Sequence, residues 1–257
     1  MTEMDFIVSE NLSISPLYGL LKLTPQSGTM PDTHPGQFVQ VEVPHSKTTF
    51  LRRPISICYV DEERNQLWLL IRKAGEGTAS LLATRVGETL NLVMPLGNGF
   101  SCSFAGEMML IGGGVGVAPL LQLGKALSKL GKKVRFLLGA RSASDLLLLD
   151  EFKRWGEVYI STEDGSEGEK GFVTQHSILN SPIDHIACCG PQPMMKAVAA
   201  FAAANNVDCE VSLENMMACG LGACLCCVEK DKEGHNVCVC KEGPVFNINQ
   251  LQWLISK

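Results

Sequence analysis

The chain has no run approaching the roughly 18 consecutive apolar residues that a membrane-crossing helix requires, so a helical membrane span is not expected. It also has no concentration of positive charge. Its 22 Lys and Arg residues are scattered among 27 Asp and Glu residues, for a net charge of −5, which removes the electrostatic footprint of a nucleic-acid binder or an anionic-membrane binder. A small molecule or another protein is the expected partner. The first residues, Met1-Thr2-Glu3-Met4-Asp5-Phe6, carry acids where a secretory signal is basic, and a cytoplasmic location is expected. There is no internal repeat and no low-complexity tract.

What the sequence does have is apolar content and cysteine. At 257 residues and 46% hydrophobic composition it can build two cores and a small appendage. Eleven cysteines in a reducing compartment point to metal before disulfide. Six of them, Cys219, Cys224, Cys226, Cys227, Cys238 and Cys240, fall in one short stretch. The other five, Cys58, Cys102, Cys188, Cys189 and Cys209, lie in apolar surroundings and are expected to act as small core hydrophobes.

The pattern divides the chain into three. Over residues 1–101, Phe38-Val39-Gln40-Val41-Glu42-Val43 alternates with period two and Gln66 to Ile71 is β-rich, with Pro and Gly clusters between, which predicts an antiparallel β-barrel. Over 102–210, strands at Met108–Ile111, Val134–Leu138, Val158–Ser161 and Ile186–Cys189 alternate with helices at Pro119–Leu130, near Asp145–Trp155, and an Ala-rich helix ending near Asn206. Such alternation predicts a parallel-sheet α/β domain. The remainder, 211–257, is rich in Cys and Gly and too small for a large core, so a metal is a natural staple for it. The fold class expected is therefore multidomain, α+β followed by α/β.

In the cysteine-rich segment the spacing C-x4-C-x2-C-x12-C runs through Cys219, Cys224, Cys227 and Cys240, the plant-type [2Fe–2S] pattern. Gly220, Gly222 and Ala223 keep side chains clear, so that backbone N–H groups can turn towards an anionic cluster. Zinc is the alternative, but its ligand pairs are usually two to four residues apart, and Cys238-Val239-Cys240 leaves one between. Cys226 lies two residues from Cys224, on the opposite side of an extended segment. Cys240 is preferred to Cys238 because it adjoins the turn Lys241-Glu242-Gly243-Pro244, and Cys238 stays open as its substitute.

Two strand-to-helix turns suit a ligand. Gly112-Gly113-Gly114-Val115-Gly116-Val117-Ala118-Pro119 follows a buried strand, and Cys189-Gly190-Pro191 follows another, so both fall at the carboxyl edge of one sheet, where α/β proteins bind ligands. The first does not satisfy G-x-G-x-x-G, and the second strand ends in Leu138-Gly139-Ala140-Arg141-Ser142 rather than in an acid for a ribose, so the ordinary NAD fingerprint is absent. Arg141 and Ser142 leave NAD and NADP both open. Thr162-Glu163-Asp164-Gly165 follows the third strand and falls at the same edge. In the barrel segment, Arg53 suits a bidentate grip on a diphosphate, Arg72 and Lys73 end a strand, and Gly77-Thr78 opens a helix.

Taken in order, an R-x-x-S stretch (Arg53 to Ser56), a G-T helix start (Gly77-Thr78), a G-G-x-G-x-A-P turn (Gly113 to Pro119) and a C-G-P turn (Cys189 to Pro191) resemble the flavin-dependent ferredoxin–NAD(P) reductase superfamily. Within it, Met217 to Cys224 closed by Cys240 to Phe246 resembles the electron-transfer subunits of NAD-dependent class 1B dihydroorotate dehydrogenase. The resemblance implies FAD on the barrel, NAD(H) on the parallel sheet and a [2Fe–2S] cluster at the end. It assigns Arg53, Pro54, Ile55, Ser56, Leu70, Ile71, Arg72, Gly77 and Thr78 to FAD. Gly113, Gly114, Gly116, Cys189, Gly190 and Pro191 fall to NAD, and Cys219, Cys224, Cys227 and Cys240 to the cluster. Many members have Tyr where this chain has Ile55, so an aliphatic contact replaces aromatic stacking. No acid–base constellation for dihydroorotate is visible. The resemblance therefore implies a separate flavin-bearing catalytic subunit, in a heterotetramer of two of each chain, serving pyrimidine synthesis. Two rivals stand beside it: the small subunit of an NADH-dependent ferredoxin:NADP oxidoreductase or of a sulfide dehydrogenase, and a metal-stapled redox-sensing module without turnover.

Overall fold

Period-two burial shapes the first sheet. In Thr89–Leu96, residues Leu90, Leu92, Met94 and Leu96 are buried while their neighbours are not, the pattern of a strand with one face on a core. The computed structural model describes residues 1–46 and 48–254. Its first half contains β1 (Thr2–Ser15), β2 (Tyr18–Pro25), β3 (Phe38–Val41), β4 (Arg53–Ser56), β5 (Tyr59–Asp61), β6 (Gln66–Arg72), α1 (Glu76–Leu82) and β7 (Thr89–Leu96). These seven strands form one antiparallel sheet in the order β4-β3-β7-β1-β2-β6-β5, curled until β4 touches β6. Phe6, Leu21, Val39, Leu69, Ile71 and Leu92 fill its inside.

The second half contains β8 (Met108–Gly113), α2 (Ala118–Lys129), β9 (Val134–Ala140), α3 (Leu149–Trp155), β10 (Glu157–Thr162), β11 (Glu169–Lys170), β12 (His185–Cys189), α4 (Gln192–Ala204) and β13 (Asp208–Ser212). The last segment adds β14 (Val228–Lys230), β15 (Asn236–Cys238), α5 (Val239–Glu242) and β16 (Val245–Asn247). The second sheet runs β11-β10-β9-β8-β12-β13-β16. Its strands are parallel except β16, which pairs antiparallel with β13, so the sheet is mixed rather than wholly parallel. The exception has a simple cause: the cysteine-rich segment leaves β13, forms its own hairpin and returns along the sheet edge. Strand order reverses between β8 and β12, which makes the carboxyl ends of those two strands the topological switch point.

Two details differ from the sequence pattern. The helix expected near Asp145 begins at Leu149, because Leu148 takes a left-handed conformation (φ +55°) and Ala143–Asp145 forms a separate 3-10 turn. Gly114–Val117 is likewise a 3-10 turn feeding α2 rather than an open loop. Among the described residues no helix is long and apolar enough to cross a membrane.

The two halves are joined by side chains of α2. β5 is an edge strand, and its outward N–H and C=O at Val60 would otherwise lack partners. The Val60 N–H donates to Gln122 Oε1 at 3.0 Å, and Lys125 Nζ donates to the Val60 carbonyl and pairs with Glu62. Asn98, just after β7, ties down the C-terminal segment, donating from Nδ2 to the Glu242 carbonyl at 2.9 Å and from its backbone N–H to the Gly243 carbonyl at 2.6 Å.

Phe136 of β9 is fully buried, edge-on to Phe152 with ring centroids 4.9 Å apart, and fits over Gly124 of α2. Phe136→Ala removes this contact between sheet and helices, and should lower stability by about 3–5 kcal/mol. Denaturant unfolding followed by circular dichroism measures it; a loss below about 1 kcal/mol would mean that the site collapses without strain.

Candidate functional site

The switch point is a cleft of about 640 Å³. Gly113, Gly114 and Pro191 line it with Arg141, Asp145 and Glu163 from the ends of β9 and β10, and Tyr18 and Arg72 reach it from the barrel. Gly116, Cys189 and Gly190 are not on its wall. A Cβ on Gly116 would lie 2.5 Å from Gly190 Cα, so both residues are bare where the two turns press together, and this approach brings Gly113 and Pro191 onto one crevice. Cys189 is fully buried, and burial together with the Glu214 carboxyl pushes its thiol well above the ordinary range.

A second, smaller hollow of about 230 Å³ opens beside it and shares Arg72, Val115 and Glu214 with the first. All three parts of the chain wall it. The barrel gives Pro54, Ile55, Ser56 and Leu70, the glycine turn gives Val115, and the cysteine-rich segment gives Glu214, Met217 and Pro244. Alternation along β6 decides which of its residues take part: Leu70 and Arg72 face the hollow, whereas Ile71 points into the barrel core. Arg53, Gly77 and Thr78 gather elsewhere, at the start of α1. The Arg53 guanidinium lies against Gly77, at 2.7 Å from where a Cβ would stand. The Thr78 hydroxyl accepts the Ala74 N–H at 2.8 Å and the Gly75 N–H at 3.2 Å, so it organises the turn ahead of its own helix.

Glu214 has no counterpart among the residues singled out from sequence. It follows β13 and stands where the two cavities meet, with its side chain exposed at their shared rim and protein packed around it. Desolvation by the protein around it pushes its carboxyl up to about 7, with the Arg72 guanidinium pulling the other way. Its only signal in the sequence is an acid two residues beyond the end of β13. Tyr18, the first residue of β2, and Asp145, in the 3-10 turn after β9, also have no counterpart in the sequence reading, because the sequence does not specify which way each faces.

The cysteine-rich loop, 213–227, has no regular secondary structure. Cys219 accepts the backbone N–H of Leu221 at 3.4 Å, and with donors from Ala223 and Cys224 this holds its thiol down to about 6. Cys240 is buried at the start of α5 and accepts the Gly222 N–H at 3.0 Å; burial and the adjacent Cys227 thiol push it up to about 12. The Cys240 N–H in turn donates to Cys227 Sγ at 3.3 Å. Of the four thiols, Cys219 lies beside Cys224 and Cys240 beside Cys227, all of them free. Among the described residues no three cysteine sulfurs lie within 4.8 Å of one another. A single tetrahedral zinc would draw all four to about 3.8 Å, given a Zn–S bond of about 2.3 Å. Two neighbouring thiols for each iron suit the two ends of a [2Fe–2S] rhomb. Cys226 is exposed, and the Cys238 sulfur lies 3.8 Å from the Gly222 carbonyl, an acceptor that disfavours a thiolate.

Comparison with known proteins agrees in both halves. Residues 214–252 match the family model of the iron–sulfur cluster binding domain of dihydroorotate dehydrogenase B, and residues 110–200 match that of the oxidoreductase NAD-binding domain. The dihydroorotate dehydrogenase B (NAD(+)) electron transfer subunit of Fusobacterium nucleatum is 41% identical over 85% of this chain and 86% of that relative. The subunit of the same name from Bacillus caldolyticus is 40% identical over 84% and 86%. Among solved structures, a chain of the NADH-dependent reduced ferredoxin–NADP oxidoreductase superposes with a TM-score of 0.86 at 28% identity, over 98% of this chain and 91% of that one. The FAD/NAD-binding domain of nitric oxide dioxygenase from Vibrio cholerae, at 21% identity over 81% of this chain and 98% of that one, shares the fold with a TM-score of 0.70. With about two fifths of the aligned residues identical over 84–86% of each chain, the chain belongs to the family of dihydroorotate dehydrogenase B electron transfer subunits.

Proposed function

We propose that this chain carries electrons from a dihydroorotate-oxidising flavoprotein to NAD+ in pyrimidine synthesis, in the cytoplasm and as a heterotetramer of two copies of each subunit. The observation that carries the reading is that barrel, glycine turn and cysteine-rich segment wall one hollow, which joins the larger cleft at Arg72, Val115 and Glu214. A flavin bound there exchanges electron pairs with a nicotinamide and single electrons with an iron–sulfur cluster.

Each residue has a part. Pro54, Ile55, Ser56 and Leu70 offer a flat, largely aliphatic seat for the ring system, with Arg72 at its edge. Arg53, beside Gly77 and the first turn of α1, supplies charge for the diphosphate. Gly113, Gly114 and Pro191 let a dinucleotide lie against bare backbone, while Gly116, Cys189 and Gly190 hold the two turns together behind them. Asp145, paired with Arg141 at 3.4 Å, and Glu163 line that cleft and offer carboxylates to a ribose hydroxyl, while Arg141 keeps a 2′-phosphate open as well. Cys219, Cys224, Cys227 and Cys240 hold the cluster. Cys240 is chosen over Cys238 because an N–H faces its sulfur where a carbonyl faces that of Cys238. The reductase of the ferredoxin–NADP type is the second reading, favoured by the 0.86 superposition.

Co-expression with a dihydroorotate-oxidising flavoprotein tests the main reading. Dihydroorotate-dependent NAD+ reduction should require this chain, and a rate no higher than that of the partner alone would favour the second reading. Cys224→Ser should lose iron and sulfide while keeping FAD near one per chain, measured by metal analysis and flavin absorbance; joint loss of both from a folded protein would contradict separate sites. A third test concerns Glu214. Its carboxyl takes up a proton at about 7 in the native chain against 4.5 ordinarily, so the native state holds the extra proton between those values and stability falls as pH rises through them. Glu214→Gln removes this dependence, so the melting temperature of the variant relative to wild type should climb from pH 4.5 to 7.5; a constant difference would place the carboxyl in open solvent.

A further inference from the structure

Gln40 is the least satisfied polar side chain beside the cysteine-rich loop. It is 1% exposed, and both Oε1 and Nε2 lack any hydrogen-bond partner. Its place on β3 explains the burial. Val39 and Val41 point into the barrel core, so Phe38 and Gln40 point out of it, towards the C-terminal segment. Gln40 lines neither cavity, so neither the flavin seat nor the dinucleotide cleft is positioned to satisfy it. Its amide is pressed instead against Gly220, the residue after Cys219. A Cβ on Gly220 would stand 2.8 Å from Nε2 and 2.9 Å from Cγ, and Gly220 is in the left-handed region at φ +70°. The loop is thus shaped to admit this amide, at a buried position where leaving it unbonded is unfavourable.

We propose that the Gln40 side-chain amide donates a hydrogen bond to the sulfur shell of the [2Fe–2S] cluster on the Cys219 side, and thereby raises the cluster's reduction potential. The proposal rests on the cluster assignment above. Gln40 is a positioning residue: it exchanges no electron and no proton. Reduction adds one electron to a unit that is already anionic, so an N–H donor favours the reduced form more than the oxidised one. Gly220 supplies the clearance, and the wall of β3 fixes the direction of approach.

Redox titration of the flavin- and cluster-loaded protein, followed by electron paramagnetic resonance, tests this. Gln40→Leu keeps the volume and removes the donor. It should make reduction of the cluster about tenfold less favourable, a fall of about 59 mV for a one-electron couple, with the iron and sulfide content unchanged. Gln40→Met serves if the leucine variant does not fold. A measurement without substitution stands beside these: side-chain 15N-glutamine labelling of wild type should alter the nitrogen hyperfine coupling of the reduced cluster. An unchanged potential in a loaded variant, or unchanged coupling on labelling, would overturn the role of Gln40. Wild-type protein without iron and sulfide would instead overturn the cluster assignment on which it rests.

Discussion

The two capping contacts from α2 to the edge strand β5 set the geometry on which the rest depends. Gln122 and Lys125, one helical turn apart, satisfy both polar backbone groups of Val60. Lys125 is 3% exposed, and a cation so enclosed is tolerable only where paired, here by Glu62 and a carbonyl. Burial pulls its ammonium below the ordinary range, with Glu62 opposing. The interaction has direction, unlike apolar packing, and so fixes how the barrel sits on the α/β domain. With that fixed, the end of β6 faces the start of α2, and Arg72 meets Val115.

The C-terminal segment is held in a comparable way. β16 extends the second sheet, Leu213 donates to the Pro244 carbonyl at 2.9 Å, and Asn98 of the first half bonds the turn that follows Cys240. The cysteine loop is irregular, yet both of its ends are anchored to rigid elements. Its left-handed glycines then turn N–H groups to sulfur, which ordinary side chains would resist. The result is a serial arrangement in which the larger cleft, the smaller hollow and the cysteine-rich segment adjoin one another, the cavities sharing Arg72, Val115 and Glu214 and the segment lining the hollow with Met217.

Much of this was legible because it is encoded locally. Period-two alternation marked the barrel strands, a buried run followed by glycines marked β8 and its turn, and C-x4-C-x2-C marked the loop. The sheet's antiparallel last strand was not legible, since Val245–Asn247 is too short to declare a partner. Nor was the division of labour among the glycines: Gly113 lines the cleft while Gly116 only lets two turns meet. Ile71 reads like its neighbours in sequence but faces the other side of its strand. Glu214 reads as one acid among 27 until two cavities are seen to meet at it.

By itself, then, the sequence determined which chemistry was available: a thiolate spacing suited to a two-iron cluster, backbone turns suited to phosphates, and strands and helices in an order that builds a barrel before a doubly wound sheet. Those properties depend on residues near one another along the chain. Tertiary structure alone decided which groups act together. The approach of Cys240 to Cys227, the place of Arg72 with Glu214 where the cavities join, and the orphaned amide of Gln40 against Gly220 bring together residues from 13 to 180 positions apart, and only the packed fold sets such distances.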